Sequence, residues 1–211
     1  MTMAGRGRFI TLEGGEGVGK STQLRALAEL LRARGLTVVE TREPGGSKGA
    51  EAIRELLLHS ESDAWSARAE ALLFAAARSD HVSRLIRPAL DAGHWVLCDR
   101  FIDSTRAYQG SGGGLSDEDI MALHRVGSEG LLPDRTIVLQ LDPLVAQARR
   151  AARTLDRADR FEDRQSEFHA RVAAAFDQMA DAEPHRFRKI DADAEPKGVT
   201  QRLWDALADM L

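Results

Sequence analysis

The chain has 211 residues, enough for one sizeable α/β domain and too few for two comfortable ones. It is 43% hydrophobic and 29% charged, ordinary for a globular protein, and a net charge of −4 argues against a surface that coats nucleic acid. One cysteine, Cys98, excludes an internal disulfide and fits a reducing cytoplasm; no apolar stretch approaches transmembrane length, so no membrane partner is expected.

The first β-rich run, RFITLE (8–13), leads into a glycine-rich loop and then into QLRALAELLRARG (23–35), where Leu recurs at helical spacing until Gly35 stops it. TVVET (37–41) reads as a second strand, followed by the turn Thr41-Arg42-Glu43-Pro44-Gly45-Gly46. Residues 50–58 and 64–91 read as helical, with Pro88 bending or ending the second segment. WVLCD (95–99) is a third strand that buries Cys98, and 116–130 a further helix. TIVLQL (136–141), a helical segment at 143–180, FRKID (187–191) and a last helix at 198–211 complete the chain. The strands are too apolar for clean alternation, as expected where helices cover both sheet faces. Strand–helix alternation of this kind predicts one α/β domain over residues 1–211, a doubly wound parallel sheet of five strands with right-handed crossovers. The stretch RRAARTLDRADRFEDR, inside 143–180, carries too much charge for a core and reads as an arginine-rich excursion from the body.

Gly14-Gly15-Glu16-Gly17-Val18-Gly19-Lys20-Ser21 fits G-x-x-x-x-G-K-[ST] and sits between a strand and a helix, where the chemistry needs it. Glycines let backbone N–H groups turn inward around phosphate oxygens, and the helix N-terminus adds partial positive charge. Lys20 is expected to reach the β- and γ-phosphates of ATP or GTP and the Ser21 hydroxyl to ligate Mg²⁺, with Thr22 completing the loop. Glu16 is the anomaly. A carboxylate cannot usefully face phosphate oxygens, so it points either to solvent or to an uncharged hydroxyl.

A regulatory GTPase would need N-K-x-D and D-x-x-G; this chain contains no asparagine and no D-x-x-G. A phosphotransferase or an ATP-driven machine remains. Arg100, at the end of the third strand, suggests a second anion to hold, and Asp99 beside it is placed to bind Mg²⁺. The six histidines show no metal-ligand spacing.

Five segments then occur in order: the loop with an acid at its third position, T-R-E-P-G-G (41–46), L-F-A-A-A-R (73–78), D-R-F-x-x-S-T-x-A-Y-Q-G (99–110) and R-R-x-x-R-x-L-D-R (149–157). Together they resemble thymidylate kinase, in the bacterial form whose arginines lie in a lid, and the resemblance runs from about residue 8 to 191. It implies a P-loop nucleoside monophosphate kinase-like fold with a short lid at about 148–164, Mg-ATP as donor, dTMP as acceptor and a homodimer.

The resemblance also implies roles. Glu16 lies near the acceptor sugar hydroxyl, Arg100 clamps the acceptor phosphate, and Arg42 stands near that phosphate. Phe74 and Arg78, four apart on one helix face, taken alone read as core and surface; the family uses the pair to stack on thymine and donate to its carbonyl. Thr105 and Gln109 contact the base, and Tyr108 fills the space of a ribose 2′-hydroxyl. Phe101 stands where many members carry Tyr. A charge run such as 149–157 alone reads as a solvated helix face; in the family its arginines, here Arg150 and Arg153, neutralise the transferring phosphoryl group. Two alternatives stay open: another nucleoside monophosphate or a nucleoside as acceptor, and a nucleotide-sensing regulator without transfer.

Overall fold

The computed structural model describes residues 7–60, 64–151 and 166–211. Among them the order is β1 (Phe9–Glu13), α1 (Lys20–Ala33), β2 (Val38–Arg42), α2 (Lys48–Leu58), α3 (Ala67–His81), α4 (Arg87–Asp91), β3 (Trp95–Asp99) and α5 (Ile102–Thr105). There follow α6 (Asp117–Ser128), β4 (Arg135–Gln140), α7 (Pro143–Ala151), α8 (Ser166–Ala182), β5 (Phe187–Asp191) and α9 (Pro196–Asp205). Among the described residues the strands form one five-stranded sheet, order β2-β3-β1-β4-β5, with every pairing parallel.

β1 lies at the centre, and all five of its residues are buried. Period two sends Ile10 and Leu12 into a core with Leu24, Leu27 and Leu31 of α1 and Val199 and Leu203 of α9. Phe9 goes to the opposite face, into a cluster with Val96, Cys98, Phe101 and Ile120. A third cluster packs α8, through Val172 and Phe176, against Val138 and Tyr108. Each fully buried Leu or Phe contributes roughly 1.5–3 kcal/mol. Helices on both faces explain the near-continuous apolar strands.

The expected elements are present, with strand ends shifted by at most one residue. Two helical expectations need correction. The 64–91 segment changes character upstream of Pro88: Val82–Ile86 is π-helical and runs on in helical geometry into α4, which carries Pro88 in its first turn. The last helix closes at Asp205, and Leu207 and Met210 continue as tight turns bonded three residues back. In the 143–180 segment α7 and α8 are seen; residues 152–165 between them, with Arg153, Arg157 and most of the expected lid, lie outside the described residues.

Candidate active site

The strand topology brings the C-terminal ends of β1, β2 and β3 to one edge, the usual place for a ligand in an open parallel sheet. At that edge β1 turns at Gly14 (φ +127°), where a Cβ would come within 2.5 Å of the Leu139 carbonyl oxygen, so only glycine fits. The loop ends at Gly19 (φ +96°), the N-cap of α1, which supplies no side-chain cap. By contrast Ser47, Ser66 and Ser116 cap α2, α3 and α6 through their hydroxyls. The first N–H groups of α1, with no acid in its first turn, are left for an anion. Gly15, Glu16 and Gly17 form the loop's arch, and Val18 anchors it in the core.

Lys20 is buried and folds back on the loop, its Nζ donating to the carbonyls of Gly15 (2.7 Å) and Gly14 (3.2 Å). Burial lowers its pKa, and the charge of Arg100 lowers it further. Ser21 donates to Asp99 Oδ2 at 2.6 Å. This hydroxyl–carboxylate pair is an all-oxygen donor set of the kind Mg²⁺ takes when phosphate oxygens and water complete the shell. Thr22 is exposed beside it on the cleft wall.

Arg100 follows β3 in a left-handed conformation (φ +69°), its N–H bonded to the Leu12 carbonyl at 3.0 Å. From there the guanidinium donates to the Gly14 carbonyl (3.2 Å), to the Ser104 hydroxyl (3.0 Å), to the Tyr108 hydroxyl (3.2 Å) and to Glu16. The carboxylate of Glu16 therefore faces inward, paired with Arg100 and accepting from the uncharged Tyr108 hydroxyl at 3.5 Å. Burial alone would raise its pKa, but the charges of Arg100 and then Lys20 win and hold it at about 2. The acid in the phosphate loop is thus the counter-charge of the arginine on the next strand.

Beyond Arg100 the cleft is lined by Phe74, Arg78, Thr105, Tyr108 and Gln109, with Arg42 at its rim. Arg78 is buried and tethered at two points: Nε donates to Glu43 at 2.7 Å and Nη2 to Thr105 Oγ1 at 2.8 Å. Its guanidinium carbon stands 5.3 Å over the Phe101 ring. Fully buried Phe101 packs edge-on against Phe9, so the position fills the core. Gln109 donates to Glu70 of α3 at 2.8 Å, both side chains buried. Thr105, Tyr108 and Gln109 stand on α5 and the π-helical stretch Arg106–Ser111 that prolongs it. Arg42 is exposed and pairs with Glu51 at 3.2 Å, so its guanidinium lies outside the buried part of the site. Arg150 belongs to α7 by its backbone; its side chain, like Arg153, lies outside the described residues.

Sequence reasoning missed the acids that hold the arginines. Glu43 is buried between Arg78 and His81, whose Nδ1 lies 3.2 Å from it and whose Nε2 lies 2.7 Å from Thr41 Oγ1. Glu13 accepts from the Phe101 N–H (2.7 Å) and the Ser104 hydroxyl (2.6 Å), and burial, with the charge of Asp103, pushes its pKa to about 8. Asp103 is clamped by Arg186 (2.6 Å) and Thr136 (3.0 Å), which fixes α5 to β4 and to the turn before β5. An acid ending an apolar strand, as Glu13 does, was the available signal.

The parallel α/β sheet with its uncapped phosphate loop, and a second arginine-lined compartment in the same cleft, define a P-loop nucleoside monophosphate kinase-like fold. The family model described as thymidylate kinase matches residues 12–203. The chain is 62% identical over 205 residues to the thymidylate kinase of Rhizorhabdus wittichii, covering 97% of this chain and 99% of that one. It is 50% identical over 206 residues to that of Caulobacter vibrioides, covering 98% of each. The crystal structure of thymidylate kinase from Ehrlichia chaffeensis superposes with a TM-score of 0.78 at 33% identity, covering 96% of this chain and 99% of that one. The chain belongs to the thymidylate kinase family.

Proposed function

We propose that the protein transfers the γ-phosphoryl group of ATP to dTMP, giving dTDP and ADP by direct in-line displacement. An oxygen of the acceptor phosphate attacks the γ-phosphorus as the bond to the β–γ bridging oxygen breaks, and no enzyme nucleophile takes part. The observation that carries this reading is one continuous cleft, with the backbone phosphate loop at one end, the Phe74/Arg78 compartment at the other and Arg100 at their junction. Arg100 suits bidentate capture of the acceptor phosphate, Lys20 the transferring group, and the loop N–H groups the donor phosphates. Glu16 and the acceptor compete for Arg100, so acceptor binding turns the Glu16 carboxylate toward the sugar hydroxyl. The tethers on Arg78 leave Nη1 to reach a base carbonyl, Phe74 offers its ring, and Tyr108 closes the space of a 2′-hydroxyl.

Ser21 and Asp99 would hold Mg²⁺, which neutralises charge on the donor phosphates when bound. A lid at about 148–164, with Arg150 and Arg153, would exclude water from the transfer. A cytoplasmic homodimer fits the remaining surface: neighbouring α2, α3 and α6 expose Leu56, Leu72 and Val126. Among the described residues no helix is long and apolar enough to cross a membrane.

The test is coupled ADP release with Mg-ATP and a panel of dTMP, dUMP, UMP, dCMP, dGMP, AMP and thymidine. Preference for dTMP over the rest is expected. Preference for another monophosphate would keep the phosphate loop and Arg100 and discard the thymine assignment. Silence with every acceptor would favour a nucleotide sensor.

A further inference from the structure

Glu13 belongs to none of the roles above, yet it is fully buried beside the site, at the end of the central strand. We propose that Glu13 is a positioning residue, whose carboxyl group holds the turn and the hydroxyl that aim the Arg100 guanidinium into the transfer site. This rests on the reading of Arg100 as the acceptor-phosphate ligand.

Four hydrogen bonds carry the proposal. Arg100 occupies a left-handed backbone conformation that costs a non-glycine residue free energy, so something on either side must hold it. Upstream, its own N–H bonds to Leu12. Downstream, the next N–H, that of Phe101, donates to one oxygen of Glu13 at 2.7 Å. The other oxygen of Glu13 takes the Ser104 hydroxyl hydrogen at 2.6 Å, which leaves the Ser104 oxygen to accept from Arg100 Nη1 at 3.0 Å. One buried carboxyl group therefore fixes both the backbone turn and, through one hydroxyl, the side chain that leaves it. The bond from the Phe101 N–H is buried, so losing the Glu13 acceptor leaves that donor without a partner.

The division of labour with Glu16 follows from place. Glu16 meets the head of the guanidinium on the cleft side, where an acceptor phosphate displaces it. Glu13 lies beneath and touches no ligand, so its grip persists through turnover.

The experiment is a double-mutant cycle on full-length enzyme: wild type, Glu13→Gln, Arg100→Ala and the double variant, with kcat, KM for dTMP, equilibrium ATP affinity and thermal midpoint measured for each. Glu13→Gln is expected to lower kcat/KM for dTMP by about 10- to 100-fold while ATP affinity stays within about threefold. The double variant should match Arg100→Ala alone within about threefold, because Glu13 acts through the arginine. Losses that multiply in the double variant, or wild-type kinetics in Glu13→Gln, would overturn the proposal. If Glu13→Gln does not fold, Ser104→Ala carries the cycle with Glu13 in place. A loss of about tenfold in dTMP turnover, absent on the Arg100→Ala background, supports the link, and unchanged turnover sinks it. The cycle is run on whichever monophosphate the wild type turns over fastest, so a wrong acceptor shows in wild type and a wrong role for Glu13 shows in the cycle.

Discussion

The two ends of the cleft are built by different means. At the donor end the chemistry is contiguous backbone: a loop of eight residues, an uncapped helix, and a lysine that bends onto the loop's own carbonyls. At the acceptor end it is side chains from four distant segments, and three arginines there have a carboxylate partner: Glu16 for Arg100, Glu43 for Arg78, Glu51 for Arg42. A backbone site is pre-aimed by the fold itself. A side-chain site must be aimed by partners, and two of these, Glu16 and Glu43, sit inside the cleft wall. On the proposed reading, base and phosphate recognition depends on charges that never touch the base.

That contrast can be broken most forcefully at Lys20. Lys20→Ala should lower kcat by roughly 10³-fold, with a circular-dichroism spectrum like that of wild type. Near-normal turnover would mean that the loop alone carries the donor end.

Next in size is Glu43→Ala, which leaves Arg78 buried beside an empty carboxylate position. Removing one partner of a buried pair costs about 3–5 kcal/mol, read as a shift in urea midpoint. The KM for dTMP should rise while that for ATP does not. A rise in both would show that the acceptor end is not separately organised.

The smallest effect is a pH dependence behind the acceptor end. His124 is buried edge-on to Phe101, donates to the Leu131 carbonyl (2.7 Å), and leaves its other nitrogen without a partner. Burial, then the charge of Arg78, lowers its pKa from 6.5 to about 4. The unfolded chain thus binds the proton more readily, so this contribution is complete above about pH 6.5 and is lost as pH falls toward 4. Glu13, with its raised pKa, slopes the other way over part of that range, so the quantity to measure is wild type minus His124→Gln. A difference of roughly 1–3 kcal/mol between pH 7 and pH 4.5 is expected; parallel curves would refute it.

The same contrast explains what could be read from the residues alone. Strand and helix identities followed from apolar runs and glycine stops, and the phosphate loop followed from spacing, because each is encoded within about ten neighbours. The proposed acceptor residues Phe74, Arg78, Tyr108 and Gln109 are individually ordinary in sequence; only their order beside the loop marked them, and the structure gathers them in one cleft. The supporting acids were not legible. Glu13 and Ser104 are 91 positions apart, and Glu43 and Arg78 are 35, so no local pattern joins them. The π-helical widening at Val82–Ile86 was equally hidden, since Pro88 marks a break without fixing its turn.

Cys98 gives this architecture a built-in clock. It is the chain's one thiol, buried in the central sheet, with its Sγ 3.0 Å from the Arg100 carbonyl and its pKa pushed up by burial. In the native state an alkylating reagent meets neither access nor thiolate. Its rate of modification therefore times the openings of β3 and of the left-handed turn beside it, one event per molecule, with no label introduced and no second thiol to correct for.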